Sequence, residues 1–270
     1  MTATRTRNVS ASVLARLLDR AKRTGDDYQT LLNAYATERF LYRLGMSGIG
    51  DRFVLKGAML FRLWADQPYR ATRDLDLLRQ GASDADAIRA DMERICTTSV
   101  DPDGIEFHRS TIHLEAIRPE DEYAGTRVKL KATCGTAKLP FQVDIGIGDS
   151  VWPPPKERQY PPLLEFPPPT VKTYTPESVI AEKLDAMVVL GDRNSRIKDF
   201  FDLRYLAEHF EFDRETLPAK SRAGVPEVEG HRSRAGWRLL RAKWSWKCQA
   251  AARGCRRVHA HSIRRKKVQQ

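Results

Sequence analysis

No window of this chain approaches the roughly 18 uninterrupted apolar residues that a membrane-spanning helix needs. The opening M-T-A-T-R-T-R-N-V-S lacks the apolar stretch of an export signal, so a cytoplasmic protein is the expectation. Cysteine is scarce. Cys96, Cys134, Cys248 and Cys255 show neither C-x-x-C nor Cys/His ligand spacing, which argues against a zinc site and fits reduced structural thiols. The six histidines form no triad or metal spacing, and no Ser or Cys sits in a nucleophile elbow, so acyl-transfer hydrolysis has no support. Neither G-x-x-x-x-G-K-[ST] nor G-x-G-x-x-G occurs, which removes P-loop and Rossmann nucleotide binding. Acid is missing altogether from residues 231–270, although that segment carries 13 Lys and Arg.

What is present is a chain of 270 residues, 41% hydrophobic and 30% charged, enough to bury a substantial core. Its net charge of +11 suggests a nucleic-acid partner until the distribution is read. Residues 211–270 hold 16 basic and 5 acidic residues, so residues 1–210 hold 30 of each and are neutral. The basic end also carries Trp237, Trp244 and Trp246, and interleaved aromatics and arginines can stack bases and grip phosphates. Its apolar positions follow neither a helical nor an alternating period, so disorder is an equal reading.

The rest patterns as an α+β domain. Ser10 or Ser12 is placed to cap a first helix with Val13, Leu14, Leu17, Leu18 and Ala21 on its apolar side, and a second helix is expected from about Asp27 to Arg43. Residues 53–65 read as a short strand or turn entering an apolar helix, and D-A-D-A-I-R-A-D-M-E-R-I-C as an amphipathic helix. Residues 105–117, 126–133 and 140–147 read as strands of one sheet. Pro153 to Pro169 is expected to be an extended connector, with helices at 177–190 and about 198–209 beyond it. The expected divisions are N-terminal helices at 1–50, a core at 51–152, connector and helical lobe at 153–215, and a basic irregular tail at 216–270.

One strand candidate carries chemistry. In Y-R-A-T-R-D-L-D-L-L, residues 69–78, an extended backbone projects Asp74 and Asp76 to one face, close enough to share a divalent metal ion. In F-Q-V-D-I-G-I-G-D, residues 141–149, the alternation puts Asp144 opposite Val143 and Ile145, so it can serve as a third carboxylate on a neighbouring strand. Phosphoryl transfer uses such groups to hold metal ions or take a proton. Lys56-Gly57-Ala58 stands at a helix start, where free backbone N–H groups can hold phosphate oxygens and the lysine adds charge. Lys183, Arg196, Lys198, Asp199 and Asp202 fall on two late helices and could close a nucleotide site. Each also has a plain structural reading: Lys183 and Asp199 as helix-surface charges, Lys56 as the exposed start of a core helix, Asp144 as a turn cap or ion-pair partner.

In series, A-R-L-L-D-R-A, E-R-F-L-Y-R-L-G, F-V-L-K-G-A-M-L-F-R-L-W, R-A-T-R-D-L-D-L-L, V-D-I-G-I-G-D, A-E-K-L-D-A-M and R-I-K-D-F-F-D-L resemble the AbiEii/AbiGii-type nucleotidyltransferase toxins over about residues 10–210. The resemblance implies a nucleotidyltransferase-like mixed sheet of the DNA polymerase β-like superfamily, flanked by N-terminal helices and a C-terminal helical part. It implies Mg2+ in two-metal chemistry as cofactor, with Asp74, Asp76 and Asp144 as its ligands, and an NTP as co-substrate. Lys56, Gly57 and Ala58 correspond to the phosphate-binding element, where many relatives have Gly-Gly or Gly-Ser. Arg70 and Thr72 flank the acid pair, Lys183 corresponds to the nucleotide-contacting lysine, and Arg196, Asp199 and Asp202 to the last motif. The implied acceptor is RNA, the 3′ end of tRNA, and the implied partner an antitoxin.

From about Leu217 the composition is also that of an out-of-frame translation: relatives continue with a segment like A-x-T-F-x-R-R-x-T, and re-reading residues 225–231 one base forward permits F-R-R-x-[KR]-[AG]-T. A genuine basic RNA-binding extension stands beside that reading. A catalytically impaired module that binds nucleic acid or protein through its tail is the alternative to an active enzyme.

Overall fold

A computed structural model describes residues 8–65, 74–81, 84–117, 125–148, 151–190 and 197–212. Arg70, Thr72, Arg196 and the basic tail lie outside these residues. The chain divides into a unit of Met1–Thr175 and a second of Pro176–Gln270.

In the first unit, α1 (Val9–Thr24) is capped by Asn8, whose side chain accepts from the Ala11 amide, rather than by Ser10 or Ser12. α2 (Tyr28–Met46) begins behind Asp27, which caps the Thr30 amide. Each cap satisfies a backbone donor that the first turn leaves without an intrahelical partner. Val13, Leu17 and Ala21 of α1 are buried, whereas Leu18 is 42% exposed. The other elements are β1 (Phe53–Lys56), a 3-10 turn (Gly57–Leu60) running into the short helix α3 (Phe61–Trp64), β2 (Leu75–Arg79), α4 (Ala85–Thr97), β3 (Ile105–Ile117), β4 (Gly125–Cys134), β5 (Ala137–Ile147), β6 (Lys156–Gln159) and β7 (Thr170–Thr173).

All seven strands form one sheet in the order β3-β4-β5-β2-β1-β7-β6. It is mixed: β2 runs parallel to β5 and β1 parallel to β7, and the remaining pairs are antiparallel. One face is apolar, with Val128, Leu130, Ala132, Phe141, Val143 and Ile145 buried. Helices α1, α2 and α4 pack on the sheet. Phe40 of α2 meets Phe107 and Phe141 with ring centroids 5.4 and 5.0 Å apart, and those two rings are 5.2 Å apart. Such tilted ring contacts each add about 0.5–1.5 kcal/mol beyond their buried area, which fixes the middle of the sheet against α2.

The proline-rich connector is where expectation and structure differ most. It holds β6, which pairs with β7 and so makes the connector part of the first unit rather than of the helical lobe. The strand hid behind its prolines because they lie outside the paired run K-E-R-Q, whose four side chains are all exposed and show no alternation. Charged groups of α2 anchor the same region. Glu38, fully buried, accepts from the Leu163 amide at 2.6 Å and from Arg39 at 2.7 Å, while Arg39 also donates to the Pro167 carbonyl at 2.8 Å. Burial pushes the Glu38 carboxyl above its ordinary value, against the pull of Arg39 and the Leu163 hydrogen bond.

The second unit contains α5 (Pro176–Leu190), opened by Pro176 and Glu177 as expected, and α6 (Ile197–His209). No described helix is long and apolar enough to cross a membrane.

Candidate functional site

The register of the sheet brings together residues that are far apart in sequence. Lys56 of β1 is paired with Asp76 of β2, Asp76 with Asp144 of β5, and Asp144 with Arg127 of β4. Residues paired across a ladder share a face, so the four strands carry a transverse row in the order cation, acid, acid, cation. Asp144 lies on the face opposite Val143 and Ile145, as its alternation predicts. Asp74 stands just before β2, exposed, and Asp76 two residues on is half-buried.

Gly57 explains why the row can be this compact. Its φ of +72° lies in the left-handed region, and a Cβ built there would overlap the Asp76 carboxylate and approach its Cβ at 2.8 Å. Glycine is therefore required twice, by the turn from β1 into the helix and by the seat of Asp76. Lys56 extends across the row: its Nζ would lie 3.5 Å from a Cβ at Gly146 and sits 5.9 Å from the Tyr174 ring centroid. Glycine at 146 thus leaves the lysine its path.

Asp144 has two side-chain partners on this face. Arg127 grips it as a fork, Nε donating to Oδ1 at 2.9 Å and Nη2 to Oδ2 at 2.7 Å. Gln142 Nε2 donates to Asp144 Oδ1 at 3.1 Å and to Asp74 Oδ1 at 3.3 Å. Both Asp144 oxygens therefore already accept charge-assisted bonds. Among the described residues no three His, Cys, Asp or Glu side chains are grouped so as to hold a metal ion. Asp76 and Asp144 are cross-strand neighbours with Asp74 just ahead of them, and Asp144 is in the grip of Arg127. The hydrogen bonds to Asp144 hold the Arg127 guanidinium charged well beyond its ordinary range, against burial, with Asp74 and Glu115 adding attraction.

Arg127 and Gln142 were not foreseen. The only signal for either was the alternation of R-V-K-L-K in β4 and F-Q-V-D in β5, which puts them on the polar face without saying what they meet.

In the second unit, Lys183 of α5 reaches two acids of α6, Asp199 Oδ1 at 2.6 Å and Asp202 Oδ2 at 2.9 Å. The Asp202 side chain is fully buried, and those of Lys183 and Asp199 are 13% and 7% exposed. This corrects the reading of Lys183 and Asp199 as helix-surface charges; Asp199 and Asp202, three residues apart, share a face and close on one ammonium. Lys198 is exposed.

The sequence profile of the family described as nucleotidyl transferase AbiEii toxin, type IV toxin–antitoxin system, matches residues 39–243. The chain belongs to this AbiEii nucleotidyl transferase toxin family. The match spans the row from Lys56 to Asp144 and the Lys183 cluster, and continues past residue 210, where the motif resemblance ends, to residue 243. No curated protein matches the chain. Among solved structures, JHP933 from Helicobacter pylori is similar with a TM-score of 0.46 and 19% identity, over 72% of this chain and 73% of that one. An H. pylori protein assigned as a nucleotidyltransferase gives 0.47 and 18%, over 72% and 76%. An antigenic nucleotidyltransferase-like protein from Paracoccidioides brasiliensis gives 0.37 and 14%, over 67% and 86%.

Proposed function

We propose that this chain is an active, metal-dependent nucleotidyltransferase that moves a nucleoside monophosphate from an NTP to a hydroxyl of RNA, the 3′ end of tRNA, as the toxin partner of an antitoxin. The observation that carries it is the transverse row, in which Lys56, Asp76 and Asp144 stand side by side with Gly57 packed on Asp76. The carboxylates of Asp74 and Asp76 are hard oxygen donors, and Mg2+ binds through one or two carboxylates together with substrate phosphates, so the pair fits that ion. When bound there, the ion neutralises triphosphate charge and orients the reacting phosphate.

The protein's own groups do the rest. The amides at the Gly57 turn and the Lys56 ammonium hold the β- and γ-phosphates. This places the α-phosphorus over Asp74 and Asp76. An acceptor hydroxyl attacks that phosphorus, its new O–P bond forms as the bond to the bridging oxygen of the β-phosphate breaks, pyrophosphate leaves, and the hydroxyl proton passes to solvent. For the second unit we propose that Lys183, held by Asp199 and Asp202, contacts nucleotide, with Arg196 completing that motif. Arg70 and Thr72 are proposed nucleotide contacts beside the acid pair.

Incubation with α-labelled NTPs, Mg2+ and total tRNA tests the reading: label enters RNA with the wild-type chain and not with Asp74→Ala/Asp76→Ala. Equal transfer by both sinks it. The engagement of Asp144 by Arg127 favours a second reading, a nucleotidyltransferase-like module that binds without catalysis. Thermal shift read beside label transfer separates the two: a site that binds Mg2+ and NTP at a hundredfold excess over Kd gains about 2.7 kcal/mol, and that gain without label transfer identifies the second reading.

A further inference from the structure

We infer that Arg127 is the acceptor-side phosphate contact of this site, and that Asp144 acts by positioning Arg127 rather than by holding a metal ion. The inference rests on the proposed nucleotidyl transfer and names the half of the site that receives the acceptor. In-line displacement places the attacking hydroxyl and the leaving pyrophosphate on opposite sides of the α-phosphorus. With the pyrophosphate held at Lys56 and Gly57 on β1, the acceptor approaches across the row, from β5 and β4. The first cation on that side is Arg127.

Its geometry suits a phosphate. Nε and Nη2 are taken by Asp144, and among the described residues Nη1 makes no hydrogen bond. The side chain is 36% exposed, so the fork to Asp144 fixes the plane of the guanidinium while one edge faces outward. An arginine held this way has lost its rotamer freedom before the ligand arrives, which lowers the cost of each new bond. The neighbouring polar face extends the same character. Lys129, paired with Glu115 at 2.7 Å, and the exposed Lys131 lie at alternate positions along β4 beyond Arg127. An acceptor of positive charge would meet these cations unfavourably, and an uncharged one would leave Arg127 without a ligand. The acceptor that fits is a nucleic-acid strand whose last phosphodiester reaches Arg127 while its terminal hydroxyl reaches the α-phosphorus.

The test uses the full chain, with a 5′-fluorescein single-stranded RNA bearing a free 3′ hydroxyl, in both equilibrium binding and label transfer. Arg127→Gln is expected to weaken RNA binding and raise the acceptor KM about tenfold, leave the NTP KM within about twofold, and lower the slope of log affinity against log salt by about one. Arg127→Lys keeps the charge without the fork and is expected to restore the salt slope but only part of the affinity. Asp144→Asn is expected to raise the acceptor KM while leaving the Mg2+ concentration for half-maximal rate unchanged. Circular dichroism melting of each variant shows that it is folded. An unchanged acceptor KM and affinity in Arg127→Gln overturns the inference, as does a shift of the Mg2+ requirement in Asp144→Asn matching that of Asp76→Asn. Equal use of a peptide hydroxyl or an uncharged polyol as acceptor also overturns it. Loss of all transfer by the wild type refutes the nucleotidyltransferase reading instead, and the binding arm then still decides the role of Arg127.

Discussion

Replacing Gly57 with alanine separates a local steric requirement from general backbone strain. The residue sits at φ +72°, where a side chain costs about 1–2 kcal/mol. Gly25, the C-cap of α1, has φ +74° with nothing within 4 Å of a built Cβ, so Gly25→Ala carries the same backbone strain and no collision. At Gly57 the new methyl would overlap the Asp76 carboxylate and stand 2.7 Å from its Cγ and 2.8 Å from its Cβ. Rotating the Asp76 side chain cannot remove the last of these contacts, because Cβ moves only with the backbone of β2. The overpacking adds about 1–3 kcal/mol, and a shift of Asp76 by about 1 Å lowers the rate of a positioned reaction about a hundredfold. Urea denaturation should therefore give Gly57→Ala a loss of about 2–5 kcal/mol against about 1–2 kcal/mol for Gly25→Ala. Label transfer by Gly57→Ala should fall about a hundredfold while Gly25→Ala keeps wild-type activity. The reasoning is refuted if the two variants lose the same stability and Gly57→Ala transfers label at the wild-type rate.

Two further predictions concern the frame that holds the site. Asp103, 3% exposed, takes a fork from Arg43 at 2.7 and 3.0 Å, so Asp103→Ala leaves a buried guanidinium without its partner and should cost about 3–5 kcal/mol by urea denaturation; a loss under about 1 kcal/mol would show that water reaches Arg43. Burial pushes the Cys96 thiol up to about 12 and the Cys134 thiol up to about 11, so each is protonated at pH 8 and its thiolate appears only as pH rises toward those values. Iodoacetamide followed by peptide mapping should leave both unlabelled in the native chain at pH 8 and label both in urea, since about one thiol in a thousand or fewer is ionised; rapid native labelling of either would contradict its burial.

The acid pair and its third neighbour were legible because strand alternation is a strict period: once Asp76 and Asp144 lie on strands and Asp74 leads directly into one, their faces follow. The register that sets Asp76 beside both Lys56 and Asp144 was not legible, because pairing between strands so distant in sequence is decided by how the sheet packs on α1, α2 and α4. Arg127 escaped for the same reason; only its cross-strand partner distinguishes it from Lys129 and Lys131 on the same face. Lys183, Asp199 and Asp202 had the spacing of an exposed salt-bridge face, and their burial comes from α5 meeting α6, which no local pattern encodes. The burial of the α2 charges Glu38, Arg39 and Arg43 was not legible either, because each serves a backbone or carboxylate partner far along the chain.

The most direct measurement of the central claim follows α- and γ-labelled NTP in parallel, with Mg2+ and RNA, for the wild-type chain and Asp76→Asn. The account predicts that α-label enters RNA, γ-label appears as pyrophosphate, and both fall at least about a hundredfold in Asp76→Asn. Transfer of γ-label to the acceptor, its release as orthophosphate, or undiminished α-label transfer by Asp76→Asn would contradict it.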